Sequence, residues 1–352
     1  MKAWRIFEDG NAWDKFELVD MPKPGHEDMA GTTMDVGVMR KAEPGEEIWQ
    51  DYVIMKVLTA GLSTPDITMA TTAYPVSVPK PYVSGQEAVG IVVDASHNMK
   101  HLLGKRVVGY TPQPFGSFAE YCIATPALLF ECPDQFSDEE GAAYLIAAHT
   151  AYHAVHRRGQ VQAGETVLVL GAAGGVPSAA VQLCVAAGCH VIAVAGGKEK
   201  MNFCKELGAH TLIDHQEEDF VDAVRRETGG RGVNAIVDFV QGDAGKRARP
   251  LMVVEGRHIM AGHAGGLLPV DPHEFYLQNY TLVGVNVGVG YGTELHHHME
   301  EDTDAHFKDL ITRGLYKPKL SKVVSFEDIP EALKDVGGRN VCGRIVARIG
   351  FQ

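Results

Sequence analysis

Apolar and polar positions follow two successive patterns along the chain. Up to residue 165, short runs with strand-like alternation are broken by glycine and proline. They predict strands at Lys2–Phe7, Phe16–Asp20, Tyr52–Leu58, Glu87–Asp94, Arg106–Tyr110 and Ala119–Ile123. The polar, glycine-containing stretch 22–50 reads as a surface loop or small hairpin. Gln135–Arg158 reads as helical: Ser137 and Glu140 form a capping box, and Gly141–Val155 carries a long apolar stripe. From Val161 the pattern becomes strand–helix alternation, which marks a doubly wound parallel sheet of an α/β protein. Helices are expected at Lys198–Leu207, Asp219–Thr228, Ala305–Arg313 and Ile329–Asp335. Strands are expected at Thr211–Ile213, Val233–Phe239, Arg257–Ala261, Thr281–Val287 and Gly343–Ile349. The last strand lies beyond the alternating part and is expected to return to the first, with the active site in a cleft between the two.

The second pattern centres on Val167-Leu-Val-Leu-Gly-Ala-Ala-Gly-Gly-Val-Pro-Ser-Ala-Ala-Val-Gln-Leu183. Four aliphatic residues read as a strand buried on both faces, followed by a glycine-rich turn. A helix then begins with Pro177 in its first turn, where a missing N–H costs nothing. Exposed amides and the positive end of the helix dipole make this a candidate phosphate cradle, formed by Gly171, Ala173, Gly174, Gly175 and Val176. Gly171 and Gly174 fit the dinucleotide spacing, while the third expected glycine is Pro177. Taken alone, the triplet is equally compatible with an ordinary strand-to-helix turn. The next strand, Cys189–Ala195, ends where such folds test the adenosine ribose. An NAD site would place an acid there. This chain has Gly196-Gly197-Lys198-Glu199-Lys200, so a 2′-phosphate is welcomed and NADPH is the expected cofactor. The alternative is a helix start whose lysines simply face water.

At 352 residues, two domains are expected. Lys+Arg 32 against Asp+Glu 45 gives a net charge of −13, which argues against nucleic-acid or anionic-membrane partners. No apolar run approaches the roughly 20 residues that span a bilayer. The N-terminal residues mix charges into a strand-like pattern and are not read as a signal peptide. Cysteines 122, 132, 184, 189, 204 and 342 show no C-x-x-C pair and read as reduced thiols of a cytoplasmic protein.

Several stretches then match one family in order: Ala60-Gly-Leu-Ser-Thr-Pro-Asp66, Gly85-Gln-Glu-Ala-Val-Gly-Ile-Val92, Gly104-Lys-Arg-Val-Val-Gly109 and Gly116-Ser-Phe-Ala-Glu-Tyr121. Gly164–Val176, Leu207-Gly-Ala209, Gly229-Gly-Arg-Gly232 and Gly343-Arg-Ile-Val346 follow. The layout resembles the medium-chain dehydrogenase/reductase superfamily over nearly the whole chain. The resemblance implies a chaperonin-10-like (GroES-like) β domain at 1–138 and 305–352, and a Rossmann NADP-binding domain at 139–304. Alcohol dehydrogenases of the superfamily bind zinc through Cys, His and Cys or Asp. Here the matching positions are Ser63, Gln86 and, approximately, Ile146, so no metal is expected. The chain therefore resembles the zinc-free branch, the zeta-crystallin-like quinone oxidoreductases with their enoyl and enone reductase relatives.

In that branch a tyrosine eight residues after the Asp of the first motif lines the substrate site and can donate a proton; here it is Tyr74. Ser63 stands where the branch commonly has Asn, and it joins Tyr74 as a candidate catalytic residue. Lys200 has the spacing of the family's 2′-phosphate lysine, and His215 occupies a position beside the same phosphate. The expected activity is hydride transfer from NADPH to a quinone or to an activated C=C of an enone or enoyl group, without a metal. A protein that holds NADPH without turnover and a metal-free alcohol dehydrogenase are the alternatives. The scarcity of basic patches favours a small free acceptor over a coenzyme A thioester. Pro65–Tyr82 and Val283–Gly292 are expected to set specificity. The apolar strand Thr281–Val287 is expected to build a homodimer. His296–His298, near Glu300–Asp302, and the helically spaced His149, His153 and His156 are weaker metal candidates, the first reading better as a solvated surface run.

Overall fold

The computed structural model describes every residue except 36, 47, 49, 50, 72, 75, 288–293, 351 and 352; the side chains of 35 and 294–298 also lie outside the description. The chain forms two compact units, Met1–Ile146 with Gly288–Lys308 and Pro318–Gln352, and Ala147–Val287 with Asp309–Lys317.

The first unit is built on a mixed sheet in the order Leu129–Glu131, Arg106–Tyr110, Glu87–Ala95, Val53–Leu62, Arg344–Arg348, Leu320–Ser325, with Tyr121–Ala124 also paired to Val53–Leu62. The expected return of the C-terminal strand is observed: Leu62 pairs with Ile345 and Ala60 with Ala347, antiparallel. Val57, Leu62, Phe118, Leu333 and Ile345 meet in one buried core. A smaller sheet pairs Lys2–Ile6 with Phe16–Asp20 and Tyr82–Val83. Within 22–50 the chain forms one helical turn, His26–Met29, and a hairpin of Thr32–Asp35 with Val38–Lys41. Ser137 caps Asp138–Ala142 as expected: its hydroxyl accepts from the Glu140 amide, and the Glu140 carboxylate accepts from the Ser137 amide, both at 3.1 Å. The single helix predicted from Gln135 is instead split into Asp138–Ala142, Leu145–Tyr152 and a wider turn, His153–Arg157.

The second unit is a six-stranded parallel sheet. Its order is Thr211–Asp214, His190–Ala195, Thr166–Leu170, Val233–Asp238, Met252–Met260, Thr281–Gly284. The chain starts at the centre and winds outward both ways. The switch point therefore falls between Thr166–Leu170 and Val233–Asp238, and a ligand crevice is expected outside their carboxyl ends. Helices Gly175–Ala186, Lys198–Glu206, Phe220–Glu227, Gly242–Ala248 and Pro272–Gln278 complete the alternation. Element bounds here also depart from expectation. The last strand ends at Gly284, short of Val287, and the helix expected from Ala305 begins at Glu294. Among the described residues, no helix is long and apolar enough to cross a membrane.

Candidate functional site

In the second unit, the strand Thr166–Leu170 delivers the chain into a turn at Gly171, with φ +68°. A β-carbon there would be strained, and it would sit 3.0 Å from the Val240 side chain. Ala173 is buried within the turn, Gly174 is the N-cap of helix Gly175–Ala186, and Gly175 and Val176 open it. No side chain caps this end, so its first amides present themselves as anion donors. Pro177 is buried at the third helical position, where its missing N–H removes nothing.

At the tip of His190–Ala195, a β-carbon on Gly196 would lie 2.8 Å from His215 Nε2, so the bare glycine lets that imidazole lie against the turn. Gly197 opens helix Lys198–Glu206, placing half-buried Lys200 in its first turn. The structure therefore gathers Gly196, Gly197, Lys200 and exposed His215 around one strand tip. It adds a residue the sequence reading missed. Asp214, at the end of the neighbouring strand, accepts from the Gly197 and Gln216 amides at 2.9 and 3.0 Å. The Gly197 N–H, foremost, holds that carboxyl below its usual range. Its only sequence signal is an acid at a strand end.

In the first unit, Ser63 caps helix Thr64–Ala70. Its hydroxyl donates to Asp66 at 2.7 Å and its amide does so at 2.8 Å. Asp66 also accepts from the Gly85 amide at 3.1 Å and the Ser84 hydroxyl at 3.3 Å. Asp66 is fully buried; burial pushes its carboxyl up, against the pull of these donors and of Arg344. Arg344 and Glu87 form a second buried pair, and Glu87 also accepts the Ile146 amide at 2.9 Å. Burial lowers the Arg344 guanidinium to about 10. Sequence reading missed this Asp66–Arg344–Glu87 group; the available signal was the charge of Glu87 and Arg344 in otherwise apolar strands.

Tyr74 is a partly buried member of the same core margin. Burial raises its phenol, the Asp66 charge adds to this, and a hydrogen bond from Gln86 opposes it. Gln86 Nε2 also reaches the Tyr110 hydroxyl at 3.5 Å, and that hydroxyl donates to the Gly37 carbonyl at 2.8 Å. The site thus brings together Tyr74, Gln86 and Tyr110, with Ser63 held by Asp66. A zinc ion does not fit the matching positions: the Ser63 proton is taken by Asp66, Gln86 is a neutral amide, and Ile146 offers only an alkyl group. His149 and His153 are buried around the junction of a regular helix and a wider turn, so the 3.6-residue spacing that suggested a common face breaks down there. The His296–His298 side chains, Pro75 beside Tyr74, and residues 288–292 of the expected specificity loop lie outside the described residues.

Residues 49–134 match the alcohol dehydrogenase GroES-like domain, and residues 175–304 match the zinc-binding dehydrogenase family. The quinone oxidoreductase-like protein 2 homolog of Nematostella vectensis is 30% identical over 306 residues, covering 86% of this chain and 82% of its own length. Human quinone oxidoreductase is 25% identical over 295 residues, covering 84% and 88%. A probable oxidoreductase from Mycobacterium abscessus superposes with a TM-score of 0.81 at 30% identity, over 99% of this chain and 98% of its own. A mycobacterial protein solved in complex with NADPH gives 0.84 at 25% identity, over 99% of both chains. The chain belongs to the medium-chain dehydrogenase/reductase superfamily, in its quinone oxidoreductase branch, with a GroES-like domain and a Rossmann-type domain.

Proposed function

We propose that this protein is an NADPH-dependent oxidoreductase that reduces a quinone or an activated C=C bond without a metal. The observation that carries this reading is the chemistry at the family's metal positions: Ser63, Gln86 and Ile146 cannot ligate zinc, and the half-buried Tyr74 phenol packs on the core beside Gln86. Bound NADPH supplies the hydride. The uncapped amides after Gly174 suit its pyrophosphate, and Lys200 and His215 suit its 2′-phosphate. A neighbour at 25% identity was solved with NADPH, which supports the assignment.

The raised Tyr74 phenol keeps its proton at neutral pH, ready for the carbon or oxygen that gains charge when hydride arrives. Gln86, whose amide hydrogen bonds favour the ionised phenol, would stabilise the phenolate left behind. Ser63 cannot donate to substrate while its proton is held by Asp66; it offers substrate an acceptor and keeps its helix start in place.

Steady-state NADPH oxidation against quinones, enones and enoyl thioesters tests the reading. Turnover of at least one class is expected, unaffected by EDTA, with Tyr74→Phe lowering kcat about 100-fold or more at unchanged NADPH affinity. NADPH binding without oxidation across the panel supports the non-catalytic alternative. Zinc that leaves together with activity would overturn the metal-free assignment, and full activity of Tyr74→Phe would remove the phenol's role.

We also infer a cytoplasmic homodimer; five of the six thiols are buried, as suits a reducing compartment. Thr281–Gly284 is the last strand of its sheet, with Thr281 and Gly284 exposed. The segment before it exposes Leu267, Val270, Tyr276 and Leu277, the first at 80%. An open edge beside apolar side chains is an aggregation template unless a second copy covers it. Light scattering at micromolar protein is expected to return twice the 38.1 kDa chain mass, and Tyr276→Glu with Leu277→Glu to return one. A wild-type mass of one chain counts against the dimer.

A further inference from the structure

Asp238 and His258 are both completely buried in the second unit, with His258 Nε2 2.8 Å from Asp238 Oδ2. Such a pair inside a parallel sheet calls for a reason, because apolar residues of similar size would fill the space with less desolvation. The reason lies above it. Asp238 ends its strand in register with Leu170, so Gly171 and Phe239 leave the sheet side by side, flanking the switch point.

Asp238 Oδ1 accepts from the Val240 and Gln241 amides at 2.8 and 2.7 Å and thereby folds the loop Phe239–Gln241 back onto the strand end. Gln241 is held at φ +55°, a region unfavourable for a residue with a side chain. Its carboxamide bridges the Gly262 carbonyl and the Leu268 amide. The Val240 carbonyl takes the Gly265 N–H at 2.6 Å, and the Val240 side chain abuts Gly171. One carboxylate thus sets a strained loop, that loop is the wall facing the phosphate-binding turn, and His258 fixes the carboxylate.

We propose that His258 is a positioning residue for dinucleotide binding: through Asp238 it holds Phe239–Gln241 as the wall of the crevice that receives the half of the dinucleotide remote from the 2′-phosphate. The proposal rests on the NADPH reading above. The 2′-phosphate end belongs to the tips of His190–Ala195 and Thr211–Asp214, on the other side of Thr166–Leu170 from this loop. A dinucleotide crossing the switch point therefore meets Phe239–Gln241 with its other mononucleotide.

Dissociation constants for NADPH and for adenosine 2′,5′-bisphosphate, which carries only the adenosine end, separate the two halves. His258→Leu is expected to weaken NADPH binding about tenfold and to leave the bisphosphate within about twofold. His258→Gln, which keeps a nitrogen donor at similar reach, is expected to restore NADPH binding to within about threefold. Should His258→Leu not fold, Asp238→Asn takes its place and is expected to show the same split. Equal factors on both ligands, or no change in either, would overturn the proposal. Wild-type protein that binds neither ligand would overturn the NADPH reading and this proposal with it. Wild-type protein that binds both, with equal losses in the variants, removes only the role of His258.

Discussion

Replacing Arg344 with Leu is expected to destabilise the first unit by about 3–5 kcal/mol, because it leaves Glu87 charged and buried without its partner. The Arg344 side chain is 7% exposed and that of Glu87 1%. Gly61 allows the pair to approach the sheet: a β-carbon there would stand 2.7 Å from Arg344 Nη2 and 2.8 Å from Glu87 Oε1. Arg344 also offsets the buried charge of Asp66, so two carboxyls lose a counter-charge at once. The effect can be read on this unit alone, since Trp4 and Trp13 belong to it and the sequence ranges of the second unit contain no tryptophan. Urea unfolding followed by tryptophan fluorescence should show an earlier midpoint. Arg344→Leu with Glu87→Leu should recover part of the loss, since removing both charges lifts the desolvation penalty. A midpoint for Arg344→Leu within experimental error of wild type would show that the pair is not carrying the strand junction.

That buried group also marks where sequence reasoning stopped. The parallel sheet was legible because its strands are uninterrupted apolar runs and its turns carry glycine, signals that lie within a few residues of each other. The glycine turn and uncapped helix start at Gly171–Val176 were legible for the same reason. The strand Leu320–Ser325 was not, because its exposed, polar positions give an edge strand no apolar alternation to detect. Met252–Met260 was expected only from Arg257. Glu255, at φ +65°, and Gly256 interrupt the pattern, and the register with the neighbouring strand shifts nearby. The first half of Glu294–Thr312 was hidden by its run of His, Glu and Asp, which reads as surface loop. Arg344 meets Glu87, and His258 meets Asp238, only after the sheets are assembled. Each was visible as a charge in an apolar strand, but its partner was not. Ser63 is the instructive case: its position matched a family site, yet only the fold shows that Asp66, three residues on, takes its proton.

Lys200→Ala is expected to raise the NADPH KM and dissociation constant about 10–100-fold while leaving those for NADH nearly unchanged, as befits loss of a charge-assisted contact to a phosphate. Lys200 is placed by backbone: Gly197 starts its helix, and the Gly197 amide is pinned by Asp214, so the first turn of the helix is fixed against the neighbouring strand tip. Lys198, more exposed in the same turn, lacks that placement and its replacement by Ala should matter less. The helix N-terminus attracts any anion, so a general electrostatic effect has to be told apart from a specific one. Salt separates them: the preference for NADPH over NADH should shrink as ionic strength rises in wild type and be nearly salt-independent in Lys200→Ala. Asp214 supplies the complementary check. Its carboxylate is tied to two backbone amides, so Asp214→Ala should loosen the site for both cofactors and not reverse their order. If Lys200→Ala weakened NADH and NADPH by the same factor, Lys200 would be shaping the strand tip and not reading the phosphate.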